Sequence, residues 1–136
     1  MEKQFVPRTE SLEVKDLGFN DPCFGFYLGG YKVCLFETTP WNERTNEKFI
    51  TRFTEDERHC TAPLHAQVFT WFRDEHKLKG EVVHSNANGS HRFTIWKWNF
   101  DNNIGLWERI GNIGTYDSYE EAQMACIRKL IELKKN

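Results

Sequence analysis

The 136-residue sequence predicts an α+β fold in which a hairpin and a three-strand meander form antiparallel sheet structure covered by about three helices. Gly29-Gly30 interrupts an alternating apolar segment and suits a two-residue hairpin turn. Asn88-Gly89 is a second hairpin signal, and Asn102-Asn103 suits a turn between two further strands. Three stretches carry helix capping or spacing signals. Whether the five strands form one sheet or two is open at this point.

The glycine turn predicts the register of the first hairpin. A two-residue connection places apolar residues opposite one another in the pairs Leu28–Tyr31, Phe26–Val33 and Phe24–Leu35. The opposite face, which includes Tyr27, is mixed. We therefore expect the phenylalanine face to be buried, since a hairpin with one apolar face needs a cover.

The first two helices are predicted from their ends. A helix from Pro7 to Leu17 has Gly18 after it, where a Schellman motif would bring Phe19 back onto Val14. The second helix has Thr61 as a plausible N-cap and Gly80 as its stop. Its apolar residues have helical spacing and are Leu64, Val68, Trp71 and Phe72.

The last helix begins with a capping box formed by Ser118 and Glu121 and buries an apolar face that includes Cys126. Before it, the meander has predicted strands at Glu81–Ser85, Arg92–Phe100 and Leu106–Ile113. If Asn102-Asn103 is the centre of the second turn, three complementary cross-strand pairs follow: Lys97–Glu108, Trp98–Trp107 and Ile95–Ile110.

Composition and charge predict a single cytoplasmic domain over residues 1–136. The net charge of −2 gives no global attraction to nucleic acid or anionic lipid. The N-terminus lacks a signal-peptide pattern, and no apolar run approaches the roughly 20 residues that span a bilayer. The polar stretch from Thr38 to His59 is predicted as an excursion, with a short strand at Lys48–Phe53 as one possibility.

One face of the meander combines arginine and tryptophan in a pattern that can stack bases or bind a partner. Its members, the predicted binding residues, are Arg92, Trp96, Trp98, Trp107 and Arg109. The same face can instead be the covered core, and this interpretation is favoured because a large exposed tryptophan cluster is costly for a soluble monomer.

The cysteines and histidines predict no metal site, cofactor or catalytic residue. His59, Cys60 and His65 are close in sequence, but Cys34 or His84 would have to complete a zinc site through the fold. The favoured interpretation makes Cys60 a small buried residue and puts His65 on the polar side of its helix. A nucleophilic Cys60 at a helix N-terminus is the weaker, enzymatic alternative.

Three separated phrases resemble a set of small uncharacterised proteins of gut anaerobic bacteria and their prophages. They are LEVKDLGFNDPCFGFYL, CTAPLHAQVFTWFRDEHKL and YDSYEEAQMACIRKLIEL, in the same order as in those proteins. The stretch from Thr38 to His59 is longer than that resemblance suggests. The resemblance implies a phage or mobile-element accessory protein and carries over no site residue.

The expected function is thus a non-enzymatic binding or interaction module with a protein partner of unknown identity. The main alternative is a single-stranded nucleic-acid binder that uses the arginine and tryptophan face, although near-balanced charge argues against nucleic acid.

Overall fold

A computed structural model describes residues 4–21, 23–28, 33–35, 59–84, 89–101 and 104–136. The elements are, in order, α1 (Arg8–Asp16), β1 (Gly25–Leu28), β2 (Cys34–Leu35), β3 (His59–Ala62), α2 (His65–His76), β4 (Leu78–His84), β5 (His91–Asp101), β6 (Ile104–Tyr116) and α3 (Tyr119–Lys135). The strand pairs among these residues are all antiparallel, so the predicted α+β class is confirmed.

Two compact units divide the chain after Gln67. The first contains a sheet of order β2-β1-β3, and the second a sheet of order β4-β5-β6. The single-domain organisation stays a prediction. The excursion over residues 38–58, including the predicted strand Lys48–Phe53, lies outside the described residues. No helix in the described part of the chain is long and apolar enough to cross a bilayer.

Helix α1 ends as its sequence predicts. Gly18 has a φ of 106°, and the Phe19 N–H donates to the carbonyl of Val14 at 2.9 Å. The Gly18 N–H donates to the carbonyl of Lys15 at 3.0 Å. These two bonds form a Schellman motif, in which glycine accepts the left-handed conformation without a Cβ clash.

The register of the first hairpin differs by one residue from the prediction. Phe26 is opposite Cys34 rather than Val33, and Leu35 is opposite Gly25 rather than Phe24. The predicted Leu28–Tyr31 pair lies outside the described residues. The shift of one residue separates Phe26 from Val33. The predicted buried face is therefore wrong on β1, whereas Val33 packs against the core as predicted. Phe24 is 39% exposed and Leu35 is 50% exposed.

Tyr27 occupies the core of the first unit instead. It is 2% exposed, and its hydroxyl donates to the carbonyl of Val6 at 2.8 Å. Phe5, Cys60 and Ala62 complete this core. Strand β3 explains the exchange of faces, because it pairs β1 along its second edge and places Cys60 opposite Tyr27. A hairpin considered alone contains no information about that third strand.

Helix α2 begins and ends at other residues than predicted. Thr61 is not an N-cap but lies in β3 opposite Phe26. The helix begins after Leu64, whose N–H donates to Oε1 of Gln67 at 2.9 Å. It ends before Lys77, which takes a φ of 56°. The predicted apolar face is confirmed at its centre, where Val68, Trp71 and Phe72 are buried.

Gly80 lies within β4 and is required there by close packing rather than by a helix end. A Cβ at this position would lie 2.7 Å from Sγ of Cys126 and 3.1 Å from Cδ1 of Leu130. Helix α3 therefore approaches the sheet closely at this point.

The second sheet has the predicted register at two of three pairs. Lys97 is opposite Glu108 and Trp98 is opposite Trp107. Ile95, however, is opposite Gly111, because a bulge leaves Ile110 unpaired and 44% exposed. Helix α3 begins at the predicted cap, where Oγ of Ser118 accepts the N–H of Glu121 at 3.1 Å. Its buried residues are Ala122, Cys126, Ile127, Leu130 and Ile131.

Candidate functional site

The second sheet places the sequence-predicted binding residues on one face. Trp98 is opposite Trp107, and Trp96 is opposite Arg109. Residues that are directly opposite each other in an antiparallel sheet share a face, and alternate residues along β5 add Arg92. We call this surface the Trp/Arg face and define it by Arg92, Trp96, Trp98, Trp107 and Arg109. These residues share a face as the spacing predicts, and their role in binding stays a prediction.

The three tryptophans are half-buried, whereas both arginines are exposed. The rings of Trp98 and Trp107 meet edge to face, with centroids 5.2 Å apart and an interplanar angle of 68°. A methyl group at Gly105 would overlap the ring of Trp98, so this glycine makes room for the indole. The aromatic pair is thus held in one arrangement, as preorganised binding surfaces require.

The buried core of the second unit lies on the opposite face of this sheet. Phe93 is 1% exposed and Ile95 is 2% exposed. Gly80 is opposite Ile95 and faces the residues of α3. Within the described residues, Cys126 and Leu130 of α3 and Phe69 of α2 approach the sheet from that opposite side at Gly80. The three tryptophan rings are half-buried, and the interpretation of their face as the covered core stays a prediction.

Strand β4 adds charged residues that the sequence analysis missed. Lys79 is opposite Trp96, and Glu81 is opposite Thr94, so both belong to the same side as the Trp/Arg face. The Nζ atom of Lys79 lies 5.9 Å from the ring centroid of Trp107 and 3.0 Å from a carboxylate oxygen of Glu81. The prediction missed Lys79 because the helical pattern was extended to Gly80, when a positive φ at Lys77 had already ended the helix.

The electrostatics of this side favour an anionic ligand. Glu81 neutralises Lys79 through their ion pair. Among the described residues, neither Arg92 nor Arg109 has an ion-pair partner. Two exposed guanidinium groups therefore flank the half-buried rings, and guanidinium binds carboxylates or phosphates through paired N–H donors.

Two polar atoms on the same side have no hydrogen-bond partner within the described residues. They are Oγ1 of Thr94 and Nε1 of Trp96, and both are buried. Proteins pair the large majority of buried polar atoms, so these two atoms are exceptions among the described residues. Alternation in the sequence predicts which residues share a face, but it does not predict which of their polar atoms lack a hydrogen-bond partner.

The structure does not support Cys60 as a nucleophile. Cys60 is fully buried in β3, and burial raises the pKa of its thiol to about 12. The expected helix N-terminus is absent there, since α2 begins at His65. A thiol in this environment stays protonated at neutral pH, whereas nucleophilic attack needs the thiolate.

His65 is also misplaced by the sequence prediction. It is not on the polar side of α2 but is 6% exposed, and its Nδ1 lies 2.8 Å from the carbonyl oxygen of Gln4. Since a carbonyl only accepts, Nδ1 of His65 must be the donor. Within the part of the chain that the structure describes, no group of three or more His, Cys, Asp or Glu side chains is placed to hold a metal ion.

Comparison with protein-family models finds no match, and comparisons with curated proteins and with solved structures also find none.

Proposed function

We propose that this chain is a non-enzymatic binding module, an accessory protein of a phage or mobile element, that engages a protein partner through the Trp/Arg face. The observation that carries the proposal is the combination, on one side of a sheet, of three half-buried indoles with two exposed arginines that form no ion pair among the described residues. Tryptophan and arginine are the residues most enriched at the energetic centres of protein interfaces.

The chemistry of this face defines the partner. The indoles offer apolar surface, and the guanidinium groups of Arg92 and Arg109 offer donors for carboxylates. A complementary surface has an apolar or aromatic residue flanked by Asp or Glu.

A protein partner is favoured over nucleic acid by the number of cations. Single-stranded nucleic acid binds through several phosphate contacts, and affinity changes with salt by a slope of about −0.7 per contact. Two arginines would give only a shallow slope and weak affinity. Stacking of bases also needs open ring faces, and the edge-to-face contact of Trp98 with Trp107 reduces the available area.

The test is an affinity capture from lysates of gut anaerobic bacteria, treated with nuclease and analysed by mass spectrometry. Wild type is compared with Arg109→Glu and with Lys134→Glu, a matched charge reversal at an exposed site on α3. We expect a protein that is captured by wild type and Lys134→Glu and is lost with Arg109→Glu. Equal capture by all three proteins would contradict the Trp/Arg face as the binding surface.

The nucleic-acid alternative uses the same Trp/Arg face. Fluorescence anisotropy with labelled oligo-dT at physiological salt tests it directly. Micromolar binding that is abolished in a folded Trp107→Ala variant would make this alternative the better interpretation. We expect no measurable binding.

A further inference from the structure

Two histidines form a pair at the loop end of the second sheet, apart from the Trp/Arg face. His84 ends β4 and is directly opposite His91, the first residue of β5. Nδ1 of His84 lies 3.3 Å from Nε2 of His91, and the ring centroids are 4.7 Å apart. The ring of Tyr119 meets that of His91 edge to face at 6.2 Å. His91 is thereby half-buried, while His84 is exposed.

The separation of the two nitrogens fits two ligands of one tetrahedral ion. Zinc–nitrogen bonds of about 2.0–2.1 Å at the tetrahedral angle place two ligand nitrogens about 3.3–3.4 Å apart. A square-planar ion would need about 2.8–2.9 Å between neighbouring nitrogens of similar bond length. For a direct hydrogen bond, 3.3 Å is at the long end of the usual range. We propose that His84 and His91 form a binding site for a divalent transition metal with tetrahedral preference, Zn²⁺.

Metal binding leaves the number of protons on the two imidazoles unchanged. Without metal, one proton lies between the two facing nitrogens as an N–H···N contact. Coordination needs both lone pairs, so that proton leaves the facing nitrogen and the other nitrogen of the same ring takes one up from water. Both imidazoles stay neutral, each donates an electron pair, and no oxidation or reduction occurs.

The surroundings set the strength of the site. In the metal-bound state Nδ1 of His91 must carry a proton, yet this atom is buried and has no hydrogen-bond partner among the described residues. Metal-ligating histidines usually donate this proton to a carbonyl or carboxylate, which orients the ring and strengthens the bond. No third His, Cys, Asp or Glu of the described residues completes the site. We therefore expect micromolar affinity, with two coordination positions left to water or to a partner's ligand.

The test uses tag-free protein in a non-chelating buffer at pH 7.5. Isothermal titration with ZnCl₂ should give one equivalent bound. His84→Ala and His91→Ala should each lower the affinity by about tenfold or more. The double variant should bind Zn²⁺ only slightly more weakly than either single variant, because removal of one imidazole already abolishes the chelate.

Asp117→Asn is the matched control. Asp117 is exposed and follows Tyr116, the residue opposite His91, but it belongs to no metal-holding group. This variant should bind Zn²⁺ as the wild type does. Absence of binding at millimolar Zn²⁺, or wild-type affinity in a folded His84→Ala variant, would overturn the proposal. An equal loss in Asp117→Asn would also overturn it, because the ion would then be held by a different set of ligands.

Discussion

The strand register was predicted less accurately for the first sheet of this protein than for the second. In the first sheet, a glycine turn predicts a register that is wrong by one residue, and Tyr27 rather than the phenylalanine face of β1 is buried. In the second sheet, side-chain pairs predict a register that is correct at Lys97–Glu108 and Trp98–Trp107. The difference lies in the kind of evidence that each prediction used.

A turn signal locates a hairpin but does not fix how many residues the connection contains. An error of one residue moves every side chain to the other face. Cross-strand pairs test the register at several positions at once, because a wrong register would break a charge pair and an aromatic pair together. The first hairpin offered no such test, since all six of its facing residues were apolar and any pairing of them was acceptable.

The largest expected effect separates the two registers of the first sheet. Tyr27→Ala should lower the free energy of unfolding by about 4 kcal/mol, because it empties a core site and removes a buried hydroxyl. Phe24→Ala, at a 39% exposed site, should cost less than about 1 kcal/mol. Urea melts followed by circular dichroism give both values. A larger loss for Phe24→Ala would restore the register that the glycine turn predicts.

The bulge in the second sheet gives the next largest contrast. Ile95→Ala should cost about 3 kcal/mol, because Ile95 is 2% exposed on the face that α3 covers. Ile110→Ala, at the unpaired position of the bulge, should change stability by less than about 0.5 kcal/mol. Similar losses in the two urea melts would mean that the isoleucines pack together, as the register without a bulge requires.

The junction of α2 and β4 gives a smaller contrast. Gly80→Ala should cost about 2 kcal/mol, since its Cβ would lie 2.7 Å from Sγ of Cys126. Lys77→Gly should be neutral or stabilise the fold by less than about 1 kcal/mol, because it relieves a positive φ. Thermal melts of both variants provide the comparison. A strong loss with Lys77→Gly and none with Gly80→Ala would return the helix end to Gly80.

Local signals and long-range packing explain which parts of the fold could be predicted. The ends of α1 and α3 depend on Gly18 and Ser118, whose hydrogen bonds reach residues three to five positions away, and both were predicted. Thr61 was misread because its role is set by pairing with Phe26, far away in sequence. The Trp/Arg face was found from alternation, but Lys79 joins it only through pairing between β4 and β5.

The smallest expected effect concerns pH and compares a histidine in each unit. Desolvation by burial lowers the pKa of His65 in the first unit and that of His76 in the second below the usual 6.5. Nearby Lys134 also lowers the pKa of His76. A histidine with a lowered pKa is neutral in the folded state, so the unfolded state binds more protons below pH 6.5. Stability should therefore be fully present above pH 6.5 and should fall as the pH drops below that value towards the folded-state pKa.

Urea melts at pH 7.5 and pH 5.5 measure the loss of unfolding free energy on acidification. Two variants then show how much of this loss comes from the histidine in each unit. His65→Asn keeps a side-chain N–H for the carbonyl of Gln4 but no longer titrates, so the loss on acidification should become smaller. His76→Gln should reduce it less, because His65 is the more buried of the two and desolvation is the main cause for both. An unchanged pH dependence in His65→Asn would mean that the pKa of His65 is the same in the folded and unfolded states. Its Nδ1 contact with Gln4, which raises the pKa, would then offset desolvation.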